Sequence, residues 1–67
     1  MITLKDLRIG STIVVRGSWG SGPAVRAKVT MLERDIKNGR AGIDYTVERT
    51  GDEHWAYLDQ VERVVQY

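Results

Sequence analysis

AVRAKVTMLE, residues 24 to 33, alternates apolar and polar side chains along most of its length. Val25, Ala27, Val29 and Met31 fall on one face, and Arg26, Lys28 and Thr30 on the other. A period of two marks a strand with one buried face. The pattern returns further on, with Ile43, Tyr45 and Val47 apolar and Asp44, Thr46 and Glu48 opposite them. Between the two runs stands Asn38-Gly39, whose residues accept positive φ and so favour a tight reversal. The centre of the chain therefore reads as a β-hairpin.

A turn centred on Asn38 sets Lys28 opposite Glu48 and Thr30 opposite Thr46. Both are favourable cross-strand pairs, worth roughly 0.2–1 kcal/mol each. Val29 then meets Val47, and Met31 meets Tyr45, on the other face. A second turn at Gly51-Asp52 sets Val47 against Ala56 and Tyr45 against Leu58, with Glu48 against Trp55 and Thr46 against Tyr57. Trp55 and Tyr57 are thus expected to face outward beside Arg26 and Lys28. A slip of one residue in that turn would reverse the faces and bury both rings.

Outward from the hairpins, Thr12 to Arg16 (TIVVR) is β-branched and strand-like. Residues 3 to 9 (TLKDLRI) read as one helical turn, with Thr3 as cap, Asp6 in capping-box position and Gly10 to end it. His54 to Leu58 reads as a fourth strand, Asp59 to Val61 as a short helical turn, and Arg63 to Gln66 as a fifth strand. The expected core is Ile13, Val15, Val25, Ala27, Val29, Met31, Ile43, Tyr45, Val47, Ala56, Leu58, Val61 and Val64. Five short strands in so small a chain call for closure to hide their edges.

This order resembles the SH3-like small β-barrel shared by KOW and Tudor-type modules. LKDLRIGSTIVVRG, residues 4 to 17, looks like the leading turn, glycine and first strand of such domains. WAYLDQVERVV, residues 55 to 65, looks like their fourth strand, 3-10 turn and last strand. The resemblance implies an all-β, five-stranded barrel filling residues 1–67 as one domain. The first loop, GSWGSGP, departs from the KOW loop motif. The chain also resembles small proteins of phages and prophages in style.

Composition bounds the chemistry. The chain has 67 residues, enough for one domain, and about 60% of the unfolded surface is buried at this size, so association with another chain would add stability. There is no cysteine, which excludes disulfides and thiolate metal ligands. No apolar run approaches membrane-spanning length, and the charged N-terminus lacks the shape of a signal peptide. A soluble cytoplasmic protein without membrane partner is the expectation. Ten basic and nine acidic residues leave a net charge of +1, less basic than a dedicated nucleic-acid binder.

Four features invite a chemical reading. Trp19, Trp55 and Tyr57 with Arg16, Arg26 and Lys28 would form an aromatic-basic surface, suited to a protein partner or to bases and phosphates. Against this, Trp19 could fold over the end of the barrel while Glu48 and Asp44 neutralise the cations. GSWGSG lacks the lysine and following helix of a phosphate-binding loop, so no nucleotide cofactor is expected. One histidine, His54, beside Asp52 and Glu53 gives neither a metal site nor a catalytic triad, so no enzyme activity and no metal are expected. KNGR, residues 37 to 40, puts two cations at a type I′-like tip, which either touch a phosphate or keep the turn solvated. The expected function is a non-catalytic interaction module for a protein partner or for self-association, with nucleic-acid binding through the aromatic-basic face as the alternative.

Overall fold

A computed structural model describes residues 2–67. Five strands form one antiparallel sheet: β1 (Thr12–Arg16), β2 (Ala24–Lys37), β3 (Arg40–Val47), β4 (Glu53–Tyr57) and β5 (Val61–Gln66). Their order across the sheet is β4-β3-β2-β1-β5, a meander of β1 to β4 with β5 returning to pair with β1. Three 3-10 turns punctuate it at Leu4–Asp6, Ser18–Gly20 and Leu58–Gln60. No helix among the described residues is long and apolar enough to cross a membrane.

The entry turn is shorter than the sequence suggests. The Asp6 carboxylate accepts hydrogen bonds from the Thr3 backbone N–H at 2.8 Å and from its hydroxyl at 3.3 Å, but the turn ends at Asp6. Leu7 leaves it in an extended conformation and is buried, an addition to the expected core. Gly10 serves the next strand instead. At φ +97° its N–H donates to the Val29 carbonyl at 2.8 Å, which leads the chain into β1.

The first hairpin turns at Asn38-Gly39, both with positive φ (56° and 72°), and Lys37 pairs with Arg40. From there β2 runs ahead of β3. Between Lys37 and Glu33 it takes four steps while β3 takes two, and between Met31 and Val29 two steps while β3 takes one. These bulges correct the expected register. Lys28 pairs with Thr46, Ala27 with Val47, Val29 with Tyr45 and Met31 with Asp44. The bulge at Thr30 also corrects one core assignment. It turns Met31 outward, 48% exposed, and Leu32 inward opposite the buried Ile43.

The second hairpin is shifted by four residues. Ile43 pairs with Ala56, Asp44 with Trp55, Gly42 with Tyr57 and Tyr45 with His54. The cause is the loop. The Val47 N–H donates to the Asp52 carbonyl at 2.8 Å, so the reversal is a four-residue loop, and Gly51 (φ +77°) ends it rather than forming its tip.

Ile13, Val15, Ala27, Val29, Ile43, Tyr45, Ala56 and Val61 are buried together with Leu7, and Val25, Val47, Leu58 and Val64 pack against them partly covered. Val14, outside the expected core, is also buried, with Arg26 and Arg63 beside it in the register. β5 carries two register shifts against β1, which bend it.

A flat five-strand sheet would hold its edges about 19 Å apart at ~4.8 Å per strand. Yet only Leu58–Gln60 joins edge strand β4 to edge strand β5. At about 2 Å rise per residue such a turn spans a fraction of that distance, so the sheet must curl its edges together. It does not close as a complete barrel: no β4–β5 ladder forms among the described residues. Instead the Gln60 side chain ties the end of β4 to β1. Its Oε1 accepts from the Tyr57 N–H at 2.9 Å, and its Nε2 donates to the Arg16 carbonyl at 2.9 Å.

Candidate functional site

The curl brings the glycine-rich loop onto the end of β4. Ser18, Trp19 and Gly20 all have positive φ, at 50°, 61° and 93°. Glycine adopts this region freely, whereas a bulky side chain is disfavoured there by about 1–2 kcal/mol. The loop holds that geometry by closing on itself. The Gly17 carbonyl accepts from Gly20 at 3.0 Å and from Gly22 at 3.1 Å, and Ser21 Oγ donates to the Ser18 carbonyl at 2.6 Å. Arg16 ties the loop down, with a guanidinium nitrogen donating to the Gly22 carbonyl at 3.0 Å and Nε 2.7 Å from the Glu62 carboxylate.

Trp19 therefore projects over two rings of β4. Its centroid lies 5.6 Å from Trp55, nearly perpendicular, and 5.7 Å from Tyr57, tilted. Trp55 and Tyr57 meet edge to face at 5.3 Å. These are favourable aromatic geometries. Trp19 is 69% exposed, Trp55 37% and Tyr57 only 5%. The expectation for Tyr57 is thus corrected. It lies on the same strand face as Trp55, but neighbouring side chains cover it.

The cations at this cluster are not those of β2's central stretch. Arg40 sits 3.9 Å above the Tyr57 ring and pairs with Asp59 at 2.7 Å, while Lys37 lies 5.7 Å from the Trp55 centroid. Asn38 Nδ2 donates to the Tyr57 hydroxyl at 3.2 Å. The KNGR tip thus wraps the rings, a role that needs the three-dimensional path of β2 to recognise. Arg26 pairs with Glu48 at 3.5 Å. Lys28 shares its cross-strand row with Thr46 and Glu53, displaced along the sheet from Trp55. Of the six expected residues, the fold gathers Trp19, Trp55 and Tyr57, places Arg16 beneath the loop, and leaves Arg26 and Lys28 apart.

Ser18, Trp19, Trp55 and Gln60 line a small cleft of about 170 Å³. A wider apolar groove of about 650 Å³ runs behind Arg40 and Asp59, floored by Ile2, Leu4, Ala41 and Leu58. On the outer face, hydrogen bonding to the Asp44 carboxyl, then burial, then the charge of Asp44 raise the Glu33 carboxyl above the ordinary carboxylate value. Burial likewise raises the Tyr45 phenol. His54 packs on the Tyr45 ring at 5.8 Å and Asp52 is bonded to Thr50, so the polar tip read at residues 52 to 54 is dispersed.

Chemically, the cluster offers exposed π faces and apolar edges. The faces of Tyr57 and Trp55 already carry Arg40 and Lys37, which disfavours a further cation and favours apolar, aromatic or anionic groups. Comparison of the chain with family models, curated proteins and solved structures finds no match.

Proposed function

We propose that the chain is an SH3-like small barrel serving as a non-catalytic protein-interaction module, with Trp19 and Trp55, backed by the covered Tyr57 ring, as its contact surface. The strand order, with β5 returning to β1 after a 3-10 turn, supports the fold half of this reading. One observation carries the functional half. Trp19 is held 69% exposed on a left-handed backbone, over two packed rings. Backbone in this region persists only where the surroundings over-determine it, and such sites concentrate where ligands bind. A tryptophan so placed has the character of an interface hot spot, worth about 2–4 kcal/mol on truncation.

The test compares the wild-type chain with Trp19→Ala, both immobilised, in capturing proteins from an extract of cells that make the chain. The variant should keep its β-sheet circular dichroism and lose its specific partners. Equal capture by a folded variant would remove this surface from the function. Lys37 beside Trp55 favours nucleic acid as a second reading. Quenching of tryptophan fluorescence by single-stranded oligonucleotides, weakening steeply with salt, would select it.

A further inference from the structure

The hydrogen-bond phase of β4 leaves one row of its backbone groups pointing out of the sheet. In an antiparallel ladder the N–H and C=O of alternate residues face the neighbouring strand. The Asp52 carbonyl accepts from Val47, so Asp52, His54 and Ala56 face β3. Glu53, Trp55 and Tyr57 therefore face the free edge, which no ladder covers among the described residues. Of these three N–H groups, only that of Tyr57 has a partner among the described residues, the Gln60 Oε1 at 2.9 Å. A side-chain amide thus stands where a further strand would set its first peptide group. The rungs at Trp55 and Glu53 stay open. Sheet edges are commonly blunted by proline, lysine or a bulge. β4 (EHWAY) has none of these, and its register with β3 is unbroken from Glu53 to Tyr57, whereas β5, the other edge, carries two shifts.

We infer that the free edge of β4 takes an extended segment of another protein as an added antiparallel strand, with an apolar side chain of that segment seated against Trp55 and Trp19. The inference rests on the reading of this cluster as a protein-contact surface and names the ligand of that surface. Strand addition draws affinity from main-chain bonds and specificity from pockets for alternate side chains. The pocket is in place. A residue bonded opposite Trp55 points to the same face of the sheet as that ring, beside the cleft of about 170 Å³ between Ser18, Trp19, Trp55 and Gln60. Small-molecule sites run to about 300–1,000 Å³, so this cleft has room for one side chain. The open N–H groups of Trp55 and Glu53 lie two residues apart, about 6.6 Å along the strand, and an extended backbone matches that spacing. A proline-rich segment does not, because it lacks the N–H groups that the edge carbonyls need. β4 of a second copy fits less well. An antiparallel pairing that uses both open rungs sets Glu53 of one chain opposite Trp55 of the other, so a carboxylate and not an apolar group would meet the rings.

A random peptide library displayed on phage and panned on the immobilised chain tests this mode of binding. Selected peptides should carry an apolar residue among β-branched ones, with no proline in that stretch. In a synthetic copy of a selected peptide, N-methylation at alternate residues should weaken binding about tenfold or more, and at the residues between them much less. Hydrogen exchange at the Trp55 amide should slow when the peptide binds. Glu53→Pro removes one outward N–H at the first residue of the strand, where proline is tolerated. It should keep the β-sheet circular dichroism and weaken binding about tenfold or more, while Glu53→Ala, which retains the N–H, binds as the wild type does. A panning that enriches nothing, or enriches proline-rich sequences, overturns the inference. So does binding that ignores the phase of N-methylation, a measurement that stands even if Glu53→Pro fails to fold. A Trp55 amide that gains protection with chain concentration alone also overturns it, since a second copy then holds the edge. Alternation that survives Trp19→Ala would uphold the added strand and remove the aromatic contact surface. Dependence on Trp19 without alternation would overturn the strand and leave that surface standing.

Discussion

At Gly42 the missing side chain is a packing requirement. An added Cβ would overlap the Ala56 carbonyl oxygen and the Ile36 side chain, and the former is backbone that cannot step aside. Gly42→Ala should cost about 2–3 kcal/mol in urea unfolding, the scale of overpacking. An unchanged midpoint would mean that β3 and β4 do not approach as described. Among the aromatic residues, burial separates two substitutions. Tyr57→Ala removes a covered ring that bears Arg40 and accepts from Asn38, and should lose about 3–5 kcal/mol. Trp19→Ala should lose less than about 2 kcal/mol, because most of that ring already faces water. The same unfolding measurement ranks them, and a larger loss at Trp19 would make it a lid rather than a contact residue.

At the scale of the strand, the bulge at Thr30 decides which side chains of β2 face the core. Val29→Asp should abolish folding, because the site is fully buried and would leave the charge unpaired. Met31→Lys, two residues on, should change stability by under about 0.5 kcal/mol, as exposed substitutions do. Circular dichroism and solubility distinguish the pair, and a folded Val29→Asp would overturn the register. β2 also carries Glu33, whose carboxyl lies above the ordinary value of 4.5 in the folded chain. The folded state therefore holds this proton more tightly than the unfolded one. Its contribution is complete below the ordinary value and is lost as pH rises through the raised one. Glu33→Gln keeps a donor and removes the charge. The variant should be at least as stable as the wild type near pH 7, with the difference shrinking towards about pH 4. Denaturation midpoints across that range would refute the carboxyl pairing if their difference stayed constant.

Over the whole molecule, Gln60 links two strands that no ladder joins. Its amide satisfies the Tyr57 N–H and the Arg16 carbonyl across the gap between β4 and β1. Gln60→Ala should cost about 2 kcal/mol or more, since both backbone groups lose a partner in a largely covered site. Faster hydrogen exchange at the Tyr57 amide, with little change at Val29 in the central ladder, would report local opening of the sheet's edges. Uniformly faster exchange at both would mean that the side chain supports global stability rather than this seam.

The all-β class, the five strands, the Asn38-Gly39 reversal and most of the buried set follow from the sequence alone. A period of two survives an even slip, and the two hairpins are displaced by two and by four residues in their central pairs, so Val29, Tyr45 and Ala56 keep their faces. Absolute register was not legible in this way. It depends on where β2 bulges and on the four-residue loop after Val47, and neither Thr30 nor Glu48 has a composition that marks such a position. Met31 leaves the expected core for that reason. The aromatic trio was legible as a set of residue types, but its burial was not. Tyr57 points outward from its strand and is nevertheless covered, because Trp19 and Arg40 arrive from distant parts of the chain. Local pattern determines which way a side chain points. Only the curl of the sheet, a non-local consequence of bulges and of the three-residue link between its edges, determines what lies on top of it.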